Sequence, residues 1–376
     1  MRVAICTDGI HPFAMGGMQR HSRLLVEHLA RNGKVQLVVL HPHAEQVFVP
    51  SLGIEEVQVP DIDRNKFYLR ELWRYSGRVA DRLDVLKPDV ILSQGFCVWK
   101  GIDRFTDRLI LHPHGLEMFQ MRGLKGRLGG WPFRAVLMYM VRRSRVVISL
   151  GGMLTELLAR IARGSGCRVV PIPNAVDLPA GTPSPTPPGT IINLLFVGRF
   201  AFNKGLDVLM TVATRLLRDS SDQDLLFHLA GDGPLLEHYR AGGLPPNVIL
   251  LGRVDDDRLA SLYRASDALI LPTRFEGMPT VVLEAMAAGK PIIVSRVGAT
   301  AELVDVNNGY LLPAGDANAL YHAVRSFAGL PRETRERMGA ASYERVKEHF
   351  TWILVTGRFE ELFSSLTATP RPPGDR

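Results

Sequence analysis

Leu271-Pro272-Thr273-Arg274-Phe275-Glu276-Gly277-Met278-Pro279-Thr280-Val281-Val282-Leu283-Glu284-Ala285-Met286-Ala287-Ala288-Gly289-Lys290-Pro291 is the stretch whose reading decides the architecture. An apolar run closes at Leu271 and a loop with proline and glycine follows. A helical pattern then opens near Pro279 or Thr280 and stops at Gly289, and Pro291 leads into another apolar run. Strand, loop, helix and strand in that order make the repeating unit of a parallel α/β sheet, with proline tolerated at a helix start and glycine favoured at its end. Two carboxylates, Glu276 and Glu284, stand eight residues apart, the first in the loop and the second about one turn inside the helix. A helix start offers unpaired backbone N–H groups and a positive dipole end, where a diphosphate can dock without a metal ion. The donors there are the backbones of Met278 and Thr280, because Pro279 has no N–H. Carboxylates flanking such a place accept hydrogen bonds from sugar and ribose hydroxyls. The spacing of the two glutamates is unspecific taken alone; the strand–loop–helix context gives it meaning.

The same alternation continues in both directions. Apolar runs at 3–6, 35–40, 89–92, 109–111, 146–150 and 168–172 precede a break, and runs at 192–197, 225–230, 248–251, 268–271 and 291–294 follow it. Continuous apolar runs, rather than strict alternation, suit parallel strands buried on both faces. Their alternation with helical patterns predicts doubly wound, Rossmann-like α/β sheets. The break is the proline-rich segment 179–189, which can join neither a helix nor a central strand. The expected division is a first domain over 1–178, a linker over 179–189 and a second domain over 190–349. A C-terminal helix over 350–366 (Trp352, Val355, Phe359, Leu362 and Phe363 at helical spacing) is expected to pack back toward the first domain, with a tail over 367–376 that is expected to be disordered from Pro370 onward.

With 376 residues, two α/β domains are the natural expectation, and 46% hydrophobic against 22% charged residues marks a globular chain. No apolar run is long enough for a transmembrane helix. The short run 3–6 meets Thr7-Asp8-Gly9 at once and reads as a buried first strand, not a secretory signal. Cys6, Cys97 and Cys167 are far apart and lack metal-ligand spacing, which fits buried free thiols in a reducing cytoplasm. The net charge of +7 is uneven: residues 1–180 hold 25 Lys and Arg against 16 Asp and Glu, and the remainder 20 against 22. A basic first half predicts an anionic partner for it, or serves solubility alone.

Four further segments carry chemistry. At the head of the second domain, Val197-Gly198-Arg199-Phe200-Ala201-Phe202-Asn203-Lys204-Gly205 sets two cations at a strand's carboxyl end, where they can neutralise a pyrophosphate leaving group. Gly231-Asp232-Gly233-Pro234 is a turn whose glycines let the backbone approach a ligand. Gly16 and Gly17 precede the first helix and can form an anion or hydroxyl nest, although the segment is not G-x-G-x-x-G and supports a dinucleotide site poorly. His112-Pro113-His114-Gly115 delivers histidines at a strand end. No pattern suggests a metal: Asp255-Asp256-Asp257 opens a helix, where acids serve as cap and first-turn charges.

On these segments the chain resembles, over nearly its whole length, the retaining glycosyltransferases of family 4. The resemblance implies the GT-B fold, two Rossmann-like domains facing a central cleft, and transfer of a hexose from a nucleotide-diphosphate sugar to a hydroxyl acceptor: a glycan, lipid-linked saccharide or small molecule. It implies that the nucleotide sugar is a co-substrate and that no cofactor or metal is needed. It gives Glu276 the donor hexose and Glu284 the ribose. Arg199 and Lys204 match the family's G-R-x4-K-G element and would face the diphosphate. Gly231 lies near the nucleotide, and Arg253-Val254 by the base. Gly16 and Gly17 face donor phosphates and acceptor. His114, chosen over His112, lies beside the reacting sugar. Ala175 in Asn174-Ala175-Val176-Asp177 replaces the family's usual glycine, which makes a positive φ there unexpected. The readings left from other classes are a sugar-nucleotide epimerase on the same architecture and a nicotinamide oxidoreductase.

The basic half has its own pattern. Lys66, Arg70, Arg74, Arg78 and Arg82 recur every four residues in one predicted helix, interleaved with Phe67, Tyr68, Trp73 and Tyr75. Arg122, Lys125, Arg127, Arg134, Arg142, Arg143 and Arg145 follow, with Trp131 and Phe133 among them. Basic side chains with aromatics suit an anionic lipid interface, so peripheral contact at the inner membrane face is expected. No nucleic-acid motif accompanies them.

Overall fold

The computed structural model describes residues 1–63, 65–120, 124–183, 189, 191–219 and 225–368, with only the backbone of 124–127. It divides into two compact units, Met1–Asn174 with Trp352–Arg376, and Ala175–Thr351.

The first unit runs β1 (Arg2–Cys6), α1 (Gly17–Asn32), β2 (Gln36–His41), β3 (Glu55–Gln58), α2 (Tyr68–Leu86), β4 (Val90–Gln94), β5 (Leu109–His112), α3 (Glu117–Gln120), α4 (Leu124–Arg143), β6 (Val146–Ser149), α5 (Gly152–Ala162) and β7 (Arg168–Pro171). Its seven strands are parallel in the order β3-β2-β1-β4-β5-β6-β7. The second unit runs β8 (Ile192–Val197), α6 (Leu206–Arg218), β9 (Leu225–Ala230), α7 (Leu236–Ala241), β10 (Val248–Gly252), α8 (Asp256–Ala265), β11 (Ala268–Leu271), α9 (Thr280–Ala287), β12 (Ile292–Ser295), α10 (Thr300–Leu303), β13 (Gly309–Leu312), α11 (Ala317–Ala328) and α12 (Arg332–His349). Its sheet is parallel in the order β10-β9-β8-β11-β12-β13. The last helix, α13 (Trp352–Ala368), belongs to the first unit.

Burial on both faces explains the central strands. Val3, Ala4 and Ile5 of β1 and Leu194, Leu195 and Phe196 of β8 are fully enclosed. Helices contribute one apolar stripe each, as in α6, where Leu206, Leu209, Val212, Ala213 and Leu216 are buried. Each sheet reverses its order once, between β1 and β4 and between β8 and β11. The loops leaving those strands flank a crevice beyond the carboxyl ends, the place where such sheets bind ligands. The Gly16–Gly17 segment leaves β1, and the Arg199–Lys204 and Glu276 segments leave β8 and β11.

Several boundaries differ from expectation. The chain passes from one unit to the other between Asn174 and Ala175, ahead of the proline-rich segment, whose residues 184–188 and 190 lie outside the described ones. The Val176 N–H donates to the Phe350 carbonyl at 2.9 Å, so both ends of the second unit lie side by side. Ala175 is not among the described non-glycine residues with positive φ. The C-terminal helix starts at Trp352; Val355, Phe359 and Phe363 enter the first unit's core, and Glu360 accepts from Asn32 and Lys34 at 2.8 Å each. The expected tail lies outside the described residues from 369 onward. Cys6 and Cys97 are buried free thiols, whereas Cys167 is partly exposed.

Two expectations for the basic face are corrected. Lys66 precedes α2 and pairs with Asp63. Tyr75 is fully buried and donates its hydroxyl to the Thr7 carbonyl at 2.6 Å, so it belongs to the core. Arg74 pairs with Glu71, and Arg78 donates to the Pro60 carbonyl. Arg70 and Arg82 are exposed. In the second basic stretch Arg122 and the side chains of Lys125 and Arg127 lie outside the described ones; Arg143 pairs with Asp103 and Arg142 donates to the Ile161 carbonyl.

Candidate active site

In the second unit the loops after β8, β9, β10, β11 and β12 are fastened to one another through backbone. The Phe200 N–H donates to the Asp232 carbonyl at 2.8 Å and the Leu235 N–H to the Phe200 carbonyl at 2.9 Å. The Gly231 N–H donates to the Gly252 carbonyl at 2.8 Å, which ties the Gly231 turn to the end of β10, where Arg253 and Val254 follow. The Arg274 N–H donates to the Asn203 carbonyl at 2.7 Å, and the Ala299 N–H to the Gly277 carbonyl at 2.9 Å.

Glycine is required where these loops touch. A Cβ on Gly205 (φ 70°) would stand 1.9 Å from the Pro272 carbonyl oxygen, and one on Gly231 1.9 Å from the Gly198 oxygen. These are distances no side chain survives, so glycine here allows close approach as well as the left-handed backbone.

Within this frame the expected charged residues meet. Lys204 Nζ is ion-paired with Glu276 Oε1, and Thr273 Oγ1 donates to that oxygen at 3.1 Å. Both side chains are mostly enclosed, 18% exposed for Lys204 and 11% for Glu276, so the pair is desolvated and fixed in place. Arg199, just past β8, is exposed, and among the described residues its guanidinium has no hydrogen-bond or ion-pair partner. Helix α9 starts at Thr280 with Pro279 as its cap and Met278 buried beside it. Glu284 lies one turn in, and its Oε2 accepts from the Tyr263 hydroxyl at 2.9 Å. Asp255 caps α8 by accepting from the Arg258 N–H at 2.8 Å, as its position predicts.

The sequence reading missed two supports. Arg274 forms a double hydrogen bond to Asp207 at 2.8 and 2.7 Å, donates to the Phe202 carbonyl at 2.7 Å and lies over the Phe202 ring. Its hydrogen bond holds the Asp207 carboxyl below the usual range. Arg274 thereby pins the β11 loop to the loop after β8. Tyr263, on α8, orients Glu284. Arg274 lies inside the quoted stretch and could have been suspected there; nothing marks Tyr263 apart from an ordinary helix residue.

The first unit's switch point brings three imidazoles together. Gly16 (φ 152°) precedes α1, and His21 lies one turn in. His112 ends β5. His114 follows with φ 60°, inside a tight turn in which the Gly115 N–H donates to the Pro113 carbonyl at 2.7 Å. A non-glycine residue in that region is uncommon, and histidine is among those that adopt it. The His112 and His114 rings stack at 3.8 Å, and His21 meets His114 edge-on at 5.0 Å. His114 Nε2 is hydrogen-bonded to Gln94 Oε1 at the end of β4. Burial pushes the His21 imidazole down to about 4, and the His112 and His114 imidazoles lie well below the usual range for the same reason. All three are neutral near pH 7. The structure thus brings His21, His112 and His114 into one neighbourhood, whereas the sequence singles out His114 alone.

The comparisons agree with this geometry. Residues 15–179 match the model described as Glycosyltransferase Family 4, and residues 192–328 match that described as Glycosyl transferases group 1. A phosphatidyl-myo-inositol mannosyltransferase of Mycobacterium leprae is 28% identical over 375 residues, covering 94% of each chain. Among solved structures, sucrose-phosphate synthase from Thermosynechococcus elongatus aligns with a TM-score of 0.79 at 21% identity, covering 98% of this chain and 99% of that one. The Anabaena protein HepE, solved with UDP and glucose, aligns with a TM-score of 0.70 at 17% identity, covering 96% and 99%. Both units carry a family model, and both are parallel α/β sheets: the chain belongs to the family 4 glycosyltransferases and is a glycosyltransferase of the GT-B type.

Proposed function

We propose that the protein transfers a hexose from a nucleoside-diphosphate sugar to a hydroxyl acceptor with retention of configuration, and that it does so without a bound metal. The observation that carries this reading is the enclosed Lys204–Glu276 pair beside the start of α9. A lysine held by a carboxylate on one side keeps donors for a second anion, and the α9 start adds backbone N–H groups from Thr280 onward. Together with Arg199 they offset the charge that develops on the departing diphosphate, which is where electrostatic preorganisation lowers the barrier most. Glu276 orients the hexose, and Glu284, steadied by Tyr263, holds the ribose. Gly231 and Val254 take the base side. His114 and the Gly16–Gly17 turn are the first unit's contribution to the reacting sugar and acceptor. The HepE structure with UDP and glucose supports a nucleotide and a hexose as this fold's ligands.

We assign the first unit's basic, aromatic face to an anionic membrane surface, with the protein cytoplasmic and peripheral at the inner face. Phe67 is 73% exposed, Tyr68 47% and Trp131 65%, and Tyr68 approaches Phe133 at 6.2 Å, which joins the start of α2 to α4. No described helix is long and apolar enough to cross a membrane, so the contact would be interfacial. The mannosyltransferase relative, whose name specifies a phosphatidylinositol acceptor, supports a lipid-linked acceptor.

Thermal melting with a panel of UDP-, GDP- and ADP-sugars in chelator tests the donor reading, since a ligand of the native state raises the melting temperature. One of the panel should stabilise the protein and release its nucleoside diphosphate on addition of acceptor; no shift with any of them would overturn it. Flotation with anionic liposomes at low salt tests the membrane face, and failure to float removes that assignment alone.

A further inference from the structure

His21, His112 and His114 form a cluster that the proposed transfer does not need as a cluster. They come from three separate elements, α1, β5 and the loop after it, and one ligand nitrogen from each lies within 4.8 Å of the other two. His21 is 3% exposed and His112 1%, and none of their four ring nitrogens has a hydrogen-bond partner. A buried imidazole with both nitrogens unsatisfied is costly, and such groups in native proteins call for an explanation. We propose that the three histidines are a binding site for a divalent transition-metal ion of the zinc class.

The chemistry of the donor set selects that class. Imidazole suits Zn²⁺, Co²⁺, Ni²⁺ and Cu²⁺, whereas Mg²⁺ and Ca²⁺ require oxygen ligands. The Gln94 side-chain amide engages His114 Nε2, which leaves Nδ1 as the nitrogen available to an ion. That is the outer hydrogen bond by which metal-binding histidines are commonly held in one tautomer. Trp352 tilts against His21 at 5.3 Å and Phe359 approaches His112 at 6.2 Å, so the cluster's inner side is apolar. His114 is half-buried and gives the site its opening, leaving a fourth position of a tetrahedral ion for water or an anion.

This inference goes beyond the proposed transfer, which uses no metal. Occupancy would withdraw His114 from the role given it there, so bound zinc should slow transfer; that consequence rests on the proposed role, whereas binding does not.

Binding is tested on the untagged full chain after chelator treatment, by titration with Co²⁺ and then Zn²⁺ at neutral pH. One equivalent of Co²⁺ should give the visible absorption of a tetrahedral nitrogen site, and Zn²⁺ should abolish it. Folded His21→Phe and His114→Ala variants, checked by circular dichroism, should lose that absorption. X-ray absorption of the wild-type one-equivalent zinc complex decides the matter even if the variants do not fold: three imidazole nitrogens at about 2.0–2.1 Å are expected. Absence of the cobalt signal, its persistence in a folded variant, or fewer than three imidazoles on zinc would each overturn the proposal.

Discussion

The two units share one strand order and place their sites at the same topological point, yet they line it with opposite chemistry. The second unit gathers Lys204, Glu276, Arg274 and Asp207 onto loops locked backbone to backbone. The first gathers two buried histidines and a half-buried third, all neutral near pH 7, around a turn with positive φ. Topology thus fixes where a site forms, and the loops decide its chemistry: paired charges in one unit, clustered imidazoles in the other.

That contrast can be broken most severely at the glycine contacts. Gly205→Val forces a Cβ into the Pro272 carbonyl and a branched residue into left-handed backbone. The expected cost is roughly 3 kcal/mol or more, with donor binding lost and the loops after β8 and β11 opened to hydrogen exchange. Wild-type exchange protection in this variant would show that the contact is not required.

The first unit should answer to acid instead. Burial lowers the His21 pKa from 6.5 to about 4, so the unfolded chain binds a proton that the folded one resists. Stability from this group is complete above pH 6.5 and declines as pH falls from 6.5 toward 4, by about 3 kcal/mol. In chelator, His21→Phe should flatten that part of the pH–stability curve, measured by denaturant melts. An unchanged slope would mean that the imidazole is not desolvated.

The smallest expected effect sharpens the second unit's roles. Tyr263→Phe removes a hydrogen bond to Glu284 worth about 1 kcal/mol, so the donor KM should rise about fivefold with kcat nearly constant. A fall in kcat with KM constant would place Glu284 in the chemical step.

Most of this arrangement was legible in the sequence wherever burial is complete. β8, β9 and β11 have the predicted limits because each is mainly apolar and most of its residues are buried. β3 and β13 were missed because they are edge strands: Glu55-Glu56-Val57-Gln58 shows water one side of its backbone and carries no apolar run. β13 opens on Gly309, a residue used for close approach to the Ile292 carbonyl rather than for strand propensity. The charged pair was foreseeable because Lys204 and Glu276 lie in segments with turn signals of their own. His21 was not, since a histidine one turn into an amphipathic helix has the spacing of an ordinary core position. Its meaning comes from β5, some ninety residues on, which only the fold brings near. The unit boundary escaped for a similar reason: the prolines advertise a break, but the passage between units is set at Asn174, by what each side packs against.

The account turns on the claim that the second unit holds the departing diphosphate with its own cations. Single-turnover transfer in the presence of chelator, compared between the wild type and Lys204→Ala, tests it most directly. The account predicts full wild-type rate without metal and a loss of about tenfold or more in a Lys204→Ala variant that remains folded by circular dichroism, with Glu276→Gln impaired to a similar degree. Undiminished transfer by Lys204→Ala, or wild-type transfer that stops in chelator, would contradict it.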